Sequence, residues 1–259
     1  MTGVQTCALP IFHSLALLLV IAITTAGARW SPPLSAEIAA APWSAPGGVA
    51  SGLALWYDAS EAATLALRPR VKFWFDKSGT ARDFRATGTY AQPYATVLVS
   101  KPMIYFASMA MKFPIAIPIE PLTIMAVMRL ATQTSAYPLI GSSTNTTGIS
   151  IDAGRLRIYV NGSSYFSPSI GNVVGNHIIT VRTALGGADY ASVDGGVEYS
   201  ANATPTVPVD QIMGIHAATG DIRLAGAVME LVVWDRALTS AERLAARRAI
   251  ALKWGITVP

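Results

Sequence analysis

The chain has almost no thiol chemistry: its single cysteine among 259 residues, Cys7, lies in the first eleven. Beyond that stretch no disulfide, Cys-based zinc site or cysteine nucleophile can be built. Charge is sparse too. Charged side chains make up 13% of the chain against 52% hydrophobic, which excludes a chain held disordered by its own charge. The 19 basic and 15 acidic residues give a net charge of +4, but the bases are scattered, so no nucleic-acid partner is expected. The 21 glycines and 16 prolines follow no collagen-like period and no tandem repeat, which excludes a solenoid. Catalytic groups are few: the six glutamates (37, 61, 120, 198, 230 and 242) are isolated, and His177 and His216 fall in no motif. No Gly-rich loop precedes a helix, so a P-loop or dinucleotide fold has no support. No acid or histidine cluster has metal-ligand spacing, although a calcium ion held by loop carbonyls would leave little trace.

The N-terminus reads as several segments. Met1–Ile11 (MTGVQTCALPI) resembles the translation of a common sequencing adapter and reads as an artefact outside the fold. Residues 12–28 contain the apolar run Leu15–Ile23 and then Ala26-Gly27-Ala28, with no charge before Arg29. That run matches a signal-peptide core of roughly 7–15 residues better than a membrane span of about 20. The segment reads as a truncated signal peptide, with an uncleaved anchor as the alternative, and implies secretion without stable membrane insertion after cleavage. Residues 29–51, rich in Ala, Pro, Ser and Gly, read as a linker. The body is then 52–259.

In the body, short apolar runs alternate with turn signals. Arg155–Val160 alternates strictly and places Leu156, Ile158 and Val160 on one face, followed by Asn161-Gly162, a strong hairpin signal. Tyr190–Val193, Asp194-Gly195 and Val197–Tyr199 repeat the pattern. Leu122–Met128 and Ala227–Trp234 are continuously apolar, as strands covered on both faces are. One helix is expected at the C-terminus, opened by the capping box Thr239-Ser240-Ala241-Glu242 and closed at Gly255. Its apolar stripe reads as Leu244, Ala245, Ala249 and Leu252, with Arg243, Arg247 and Arg248 on a solvated face. The fold class is all-β, a two-sheet antiparallel sandwich with one C-terminal α-helix.

Two motifs at each end carry a family resemblance. Leu53–Ser60 (LALWYDAS) and Val71–Gly79 (VKFWFDKSG) resemble the opening strands of bacterial and phage laminin-G-like, concanavalin A-like jelly-roll domains. Glu230–Thr239 (ELVVWDRALT) with Lys253–Ile256 (KWGI) is similar to their closing strand and helix. His177–Arg182 and Val193-Asp194-Gly195 resemble the middle strands. The family often carries Phe-Asp-Gly where this chain has Phe106-Ala107-Ser108, so no role of that acid transfers. The resemblance implies two jelly-roll sheets with the terminal strands side by side.

The turn acids Asp58 and Asp76 read as structural, with calcium as the alternative, and no other cofactor is expected. Glucanases of this wider fold carry Glu-x-Asp-x-x-Glu on one strand, a spacing missing here; Glu230 is the best acid by position but has no partner two or four residues away. Binding is what remains. Arg155, Arg157 and Tyr159 point away from the strand's apolar face, and with Tyr165, Tyr190 and Tyr199 they are candidates for a polar-aromatic glycan surface. The expectation is a non-catalytic secreted or cell-envelope module for glycan or cell-surface polysaccharide binding, or for adhesion. The alternatives are a structural virion or surface component and, behind it, a glycoside hydrolase.

Overall fold

A computed structural model describes residues 44–259, apart from 62–64, 69, 86–93, 99–100, 108–110, 118–120, 131–136, 142–147, 153–154, 161–162, 170–173, 185–188, 202–208 and 213–224. Met1–Ile11, Leu15–Ile23, the Asn161-Gly162 turn and His216 lie outside the described residues. Among the described residues there are seventeen strands and one α-helix. The first eight are β1 (Leu53–Asp58), β2 (Leu65–Arg68), β3 (Arg70–Trp74), β4 (Phe84–Arg85), β5 (Tyr94–Leu98), β6 (Lys101–Ala107), β7 (Met111–Ile117) and β8 (Leu122–Leu130). Then come β9 (Tyr137–Gly141), β10 (Gly148–Asp152), β11 (Arg155–Val160), β12 (Ser163–Ser169) and β13 (Gly175–Thr183). The chain ends with β14 (Asp189–Val193), β15 (Tyr199–Ala201), β16 (Val209–Ile212), β17 (Ala225–Trp234) and α1 (Ser240–Trp254).

The strands form two antiparallel sheets. One runs β15-β14-β13-β8-β17-β6-β5, with β1 also paired to β17; the other runs β12-β11-β10-β9-β16-β7-β4-β3-β2. The chain is therefore the expected all-β sandwich with a single C-terminal helix. The terminal strands pair as expected, with Leu55 opposite Val233 and Trp56 opposite Val232. β17 is long enough to serve both neighbours on one edge: its first half pairs with β6 and its second half with β1. This pairing joins the two ends of the domain in mid-sheet and removes an open edge there.

Residues 122–128 and 226–234 are buried throughout, which explains their continuous apolar character. Their sheet is covered on both faces. On the inner face Tyr57 meets aromatics of the second sheet, its ring 5.5 Å from Trp74 and 4.2 Å from Phe84. On the outer face Trp56, Met125, Val127, Ile178 and Val232 pack with Ala246, Ile250, Ala251 and Trp254 of α1. Each fully buried large apolar side chain contributes roughly 1.5–3 kcal/mol, so this second core is a major reason the helix stays docked.

Ser44–Ser51, the described end of the segment read as a linker, lies against the same outer core. Val49 is buried, and its carbonyl accepts the Trp234 indole N–H at 2.8 Å. A 3-10 turn at Pro46–Gly48 brings Gly47, at φ +63°, so near the helix that a Cβ there would sit 2.4 Å from the Ala245 backbone. Only glycine fits that approach.

The helix ends behave as the sequence predicts. Thr239 and Glu242 form the capping box, and Gly255 takes the left-handed conformation at φ 66°. The buried face does not. Arg243, Ala246, Arg247, Ile250, Ala251 and Trp254 face inward, while Leu252 is 86% exposed. The expected solvated face is thus corrected for two arginines. Arg243 is buried because its guanidinium donates to the Leu238 carbonyl and to Glu198, each at 2.8 Å. Arg247 lies across the bare backbone of Gly195, where an added Cβ would come within 2.4 Å of its Nε. The turn beneath it is the expected one, with positive φ at both Asp194 (50°) and Gly195 (75°).

Candidate functional site

The register of β1 on β17 sets two acids directly opposite each other, Asp58 and Glu230. Directly opposed residues stand with Cβ atoms about 4.5–5.5 Å apart, where like charges are destabilising. Both carboxyls are buried, at 0% and 1% exposure, so the pair persists only with counter-charges and donors around it. α1 supplies Lys253, whose ammonium donates to Asp58 Oδ2 and, at 3.1 Å, to Glu230 Oε2. The loop after β3 supplies Lys77, which donates to Asp58 Oδ2 at 2.8 Å and lies 4.1 Å above the Trp56 ring. Two indoles complete the set. Trp56 donates to Glu230 Oε1 at 2.7 Å, and Trp254 donates to Oε2.

These neighbours divide the two acids electrostatically. Burial pushes the Asp58 carboxyl up, but Lys253 and Lys77 outweigh it and hold it below its ordinary value. Burial likewise raises Glu230, and the adjacent Asp58 adds to the rise; Lys253 and the two indole N–H groups offset only part of it, leaving Glu230 raised. The cluster joins residues from β1, the Asp76–Gly79 turn, β17 and α1.

Beside the cluster is a cavity of about 190 Å³, lined by Ser44–Gly47 on one side, Ala249, Ile250 and Lys253 of α1 on another, and Trp56 and Glu230 at its base. Ser44 is exposed and Lys253 is 30% exposed, so the cavity opens toward solvent between them.

Asp76 and Asp58 each accept several short-range hydrogen bonds. Asp76 Oδ1 accepts the backbone N–H groups of Ser78 at 2.9 Å and Trp56 at 2.8 Å, and Oδ2 accepts the hydroxyls of Ser78 at 2.6 Å and Thr80 at 2.7 Å. Asp58 Oδ1 accepts Ser60 N–H at 3.0 Å and Oγ–H at 2.6 Å, leaving Oδ2 for the lysines. Among the described residues no group of three or more acids and histidines is placed to hold a metal ion. His177 sits at the rim, its Nδ1 2.6 Å from Asp194 Oδ2.

The six residues expected to form a glycan surface are divided. Arg155, Arg157 and Tyr159 lie on β11 and Tyr165 on β12, all in the second sheet. Arg155 is exposed and Arg157 half-buried; the side chains of Tyr159 and Tyr165 lie outside the described residues. Arg157 pairs with Phe166 and Tyr165 with Ile158, which are alternate register positions. Tyr190 and Tyr199 belong to the first sheet, and their partners across β14 and β15 are Ser200 and Ala191, so the two rings take opposite faces. Tyr190 instead carries the Arg182 guanidinium 4.3 Å from its ring centre. One continuous surface from these six is not what the register builds.

No family model matches the chain, and no curated protein does. Solved structures do. Trypanosoma rangeli sialidase in complex with sialic acid is similar at TM-score 0.53 and 15% identity, over 80% of this chain and 34% of the sialidase chain. The receptor binding domain of botulinum neurotoxin C/D mosaic serotype is similar at TM-score 0.57 and 9% identity, over 78% of this chain and 52% of that one. A crystallised HCR/D F1240A mutant is similar at TM-score 0.55 and 11% identity, over 81% of this chain and 53% of that chain. The chain thus spans about a third of the sialidase and half of the other two, and the likeness is one of fold.

Sequence reasoning reached Glu230 but missed its partner, because the partner is opposite it across a strand pair rather than near it along the chain. Lys77, Lys253, Trp56 and Trp254 were missed as a set for the same reason. A signal was present. Each end motif carries one or two of the six.

Proposed function

We propose that the chain is a non-catalytic, secreted carbohydrate-binding module of the laminin-G-like, concanavalin A-like type. The observation that carries this reading is the state of the acid pair. A glycosidase needs two carboxyl groups flanking a glycosidic bond, one to protonate the leaving oxygen and one as base or nucleophile. Here all four carboxyl oxygens of Asp58 and Glu230 already accept bonds from lysine, tryptophan or serine donors. Both acids are buried in one layer, side by side between strand and helix. Such a pair fastens the terminal strands to α1; it does not flank a substrate.

Two further points support binding over catalysis. The sandwich is similar in fold to a toxin's receptor binding domain. The fold also carries an open cavity with one indole and one ammonium at its wall, the mixture of apolar face and polar rim that suits a sugar ring.

The test is a glycan array followed by calorimetry, run beside a reducing-end assay on the same glycans. Saturable binding without turnover is the expected result. Release of reducing ends that Glu230→Gln abolishes would replace this reading with hydrolysis, and no binding to any glycan would end it.

A further inference from the structure

The cavity beside Trp56 has features that narrow its occupant, given the carbohydrate-binding reading on which the following rests. Its volume of about 190 Å³ is below the ~300–1,000 Å³ of drug-sized sites. It therefore suits one sugar residue rather than an oligosaccharide. Its walls separate by chemistry. Pro46, Ala249, Ile250 and Trp56 form the apolar part of the lining, which suits the C–H groups of a sugar. Glu230 and Lys253 are the charged groups.

Both charged groups keep bonding capacity among the described residues. Lys253 Nζ uses two of its three hydrogens, on Asp58 and Glu230. Glu230 Oε1 accepts one bond, from Trp56, where a carboxylate oxygen accepts two. The remaining donor and acceptor belong to adjacent, oppositely charged groups whose geometry is already fixed by other bonds. A pair of neighbouring hydroxyls meets both at once, one accepting from Lys253 and the other donating to Glu230. A carboxylate ligand would meet Lys253 but face Glu230 and Asp58, and the cluster's two lysines are already matched by its two acids.

From this complementarity we infer that the cavity between Ser44–Gly47 and α1 is a binding site for a single neutral pyranose residue, oriented by Glu230 and Lys253 and bounded by Trp56. The strap of Ser44–Gly47 forms part of the wall, and its position is fixed by Gly47 against the Ala245 backbone and by buried Pro46. The site discriminates by charge and by size: terminal neutral sugars enter, while sialic acid is turned away by the carboxylates.

The experiment titrates the full chain with glucose, galactose, mannose, N-acetylglucosamine and sialic acid, reading calorimetry and the indole N–H resonances of Trp56 and Trp254. The expected result is saturable binding of at least one neutral sugar, with both indole signals shifted and sialic acid silent. Ala249→Phe places a ring in the cavity from the helix and weakens that binding more than tenfold while the thermal midpoint holds. Ala45→Phe, from the strap, does the same and serves if Ala249→Phe fails to fold. Undiminished sugar binding in the filled variants overturns this site while leaving the carbohydrate-binding reading intact. Preference for sialic acid overturns the neutral class. Glycan-array binding with no monosaccharide response in the wild type also overturns the site, whereas silence in both arms removes the underlying reading as well.

Discussion

Replacing Asp58 by Asn tests the acid–lysine cluster as a fastener. The amide keeps the size of the side chain and its turn contact to Ser60 but removes the charge that two ammonium groups face. Lys77 has a side chain 3% exposed and would be left opposite a neutral group, with half-exposed Glu61 at 3.7 Å too distant to replace the lost bond. Removing one partner of a buried pair costs about 3–5 kcal/mol. Lys253 is 30% exposed and can relax toward water, which favours the lower end. At about 2–4 °C per kcal/mol for a domain of this size, the thermal midpoint should fall by about 6–20 °C. Urea unfolding of wild type, Asp58→Asn, Lys77→Met and the double variant gives the decisive cycle. The double variant removes the pair as a unit and leaves Lys253 matched to Glu230, so it should be less destabilised than the sum of the singles. Loss below about 1 kcal/mol in Asp58→Asn, or strict additivity in the cycle, would refute the fastener. The acid limb gives a second check. Asp58 is held below its ordinary value of 3.8, so its contribution is present above that value and is lost as pH falls through the folded value. Asp58→Asn should lack that part of the acid transition.

Three further outcomes follow from other contacts. The His177 pKa is raised from 6.5, by its bond to Asp194 against the opposing effect of burial, so its contribution is full below 6.5 and lost as pH rises through the folded value; thermal midpoints from pH 6 to 8 should decline less in His177→Gln. Gly47→Ala sets a Cβ 2.4 Å from the Ala245 carbonyl carbon at a positive φ, so it should cost about 1–3 kcal/mol and speed proteolysis before Val49, read by limited digestion. Thr239→Ala removes the hydroxyl that accepts Glu242 N–H and should cost about 1 kcal/mol, read by denaturant midpoint at unchanged slope.

The parts of the fold legible in the sequence are those whose chemistry is local. The capping box needs only Thr239 and Glu242 three residues apart, and the Asp76 turn closes within four residues on Ser78 and Thr80. The pairing of the terminal strands, by contrast, was legible only as what the family resemblance of the end motifs implies. The helix face was less so. The sequence Ala245-Ala246-Arg247-Arg248-Ala249-Ile250-Ala251 offers two stripes of similar apolarity, and arginine counts against burial in any sequence pattern. Arg243 and Arg247 are buried because Glu198, the Leu238 carbonyl and the side-chain-free Gly195 happen to lie beneath them. No position on the helix encodes those partners.

The candidate site shows the same division more sharply. A search for acids two or four residues apart finds pairs within a strand or helix, yet Asp58 and Lys253 meet across 195 residues and Trp56 and Glu230 across 174. The register brings them together, and register is set by the whole apolar pattern of β1 and β17 rather than by the acids. A slip of one residue would turn Glu230 to the inner face, against Tyr57 and Trp74, leaving two indole N–H groups with no carboxylate and Lys253 with Asp58 alone. The buried charges therefore make a wrong register costly, while the apolar residues make the right one stable. That division of labour gives the acid pair a structural role in mid-sheet: the apolar pattern selects the pairing, and the buried charges penalise any slipped one.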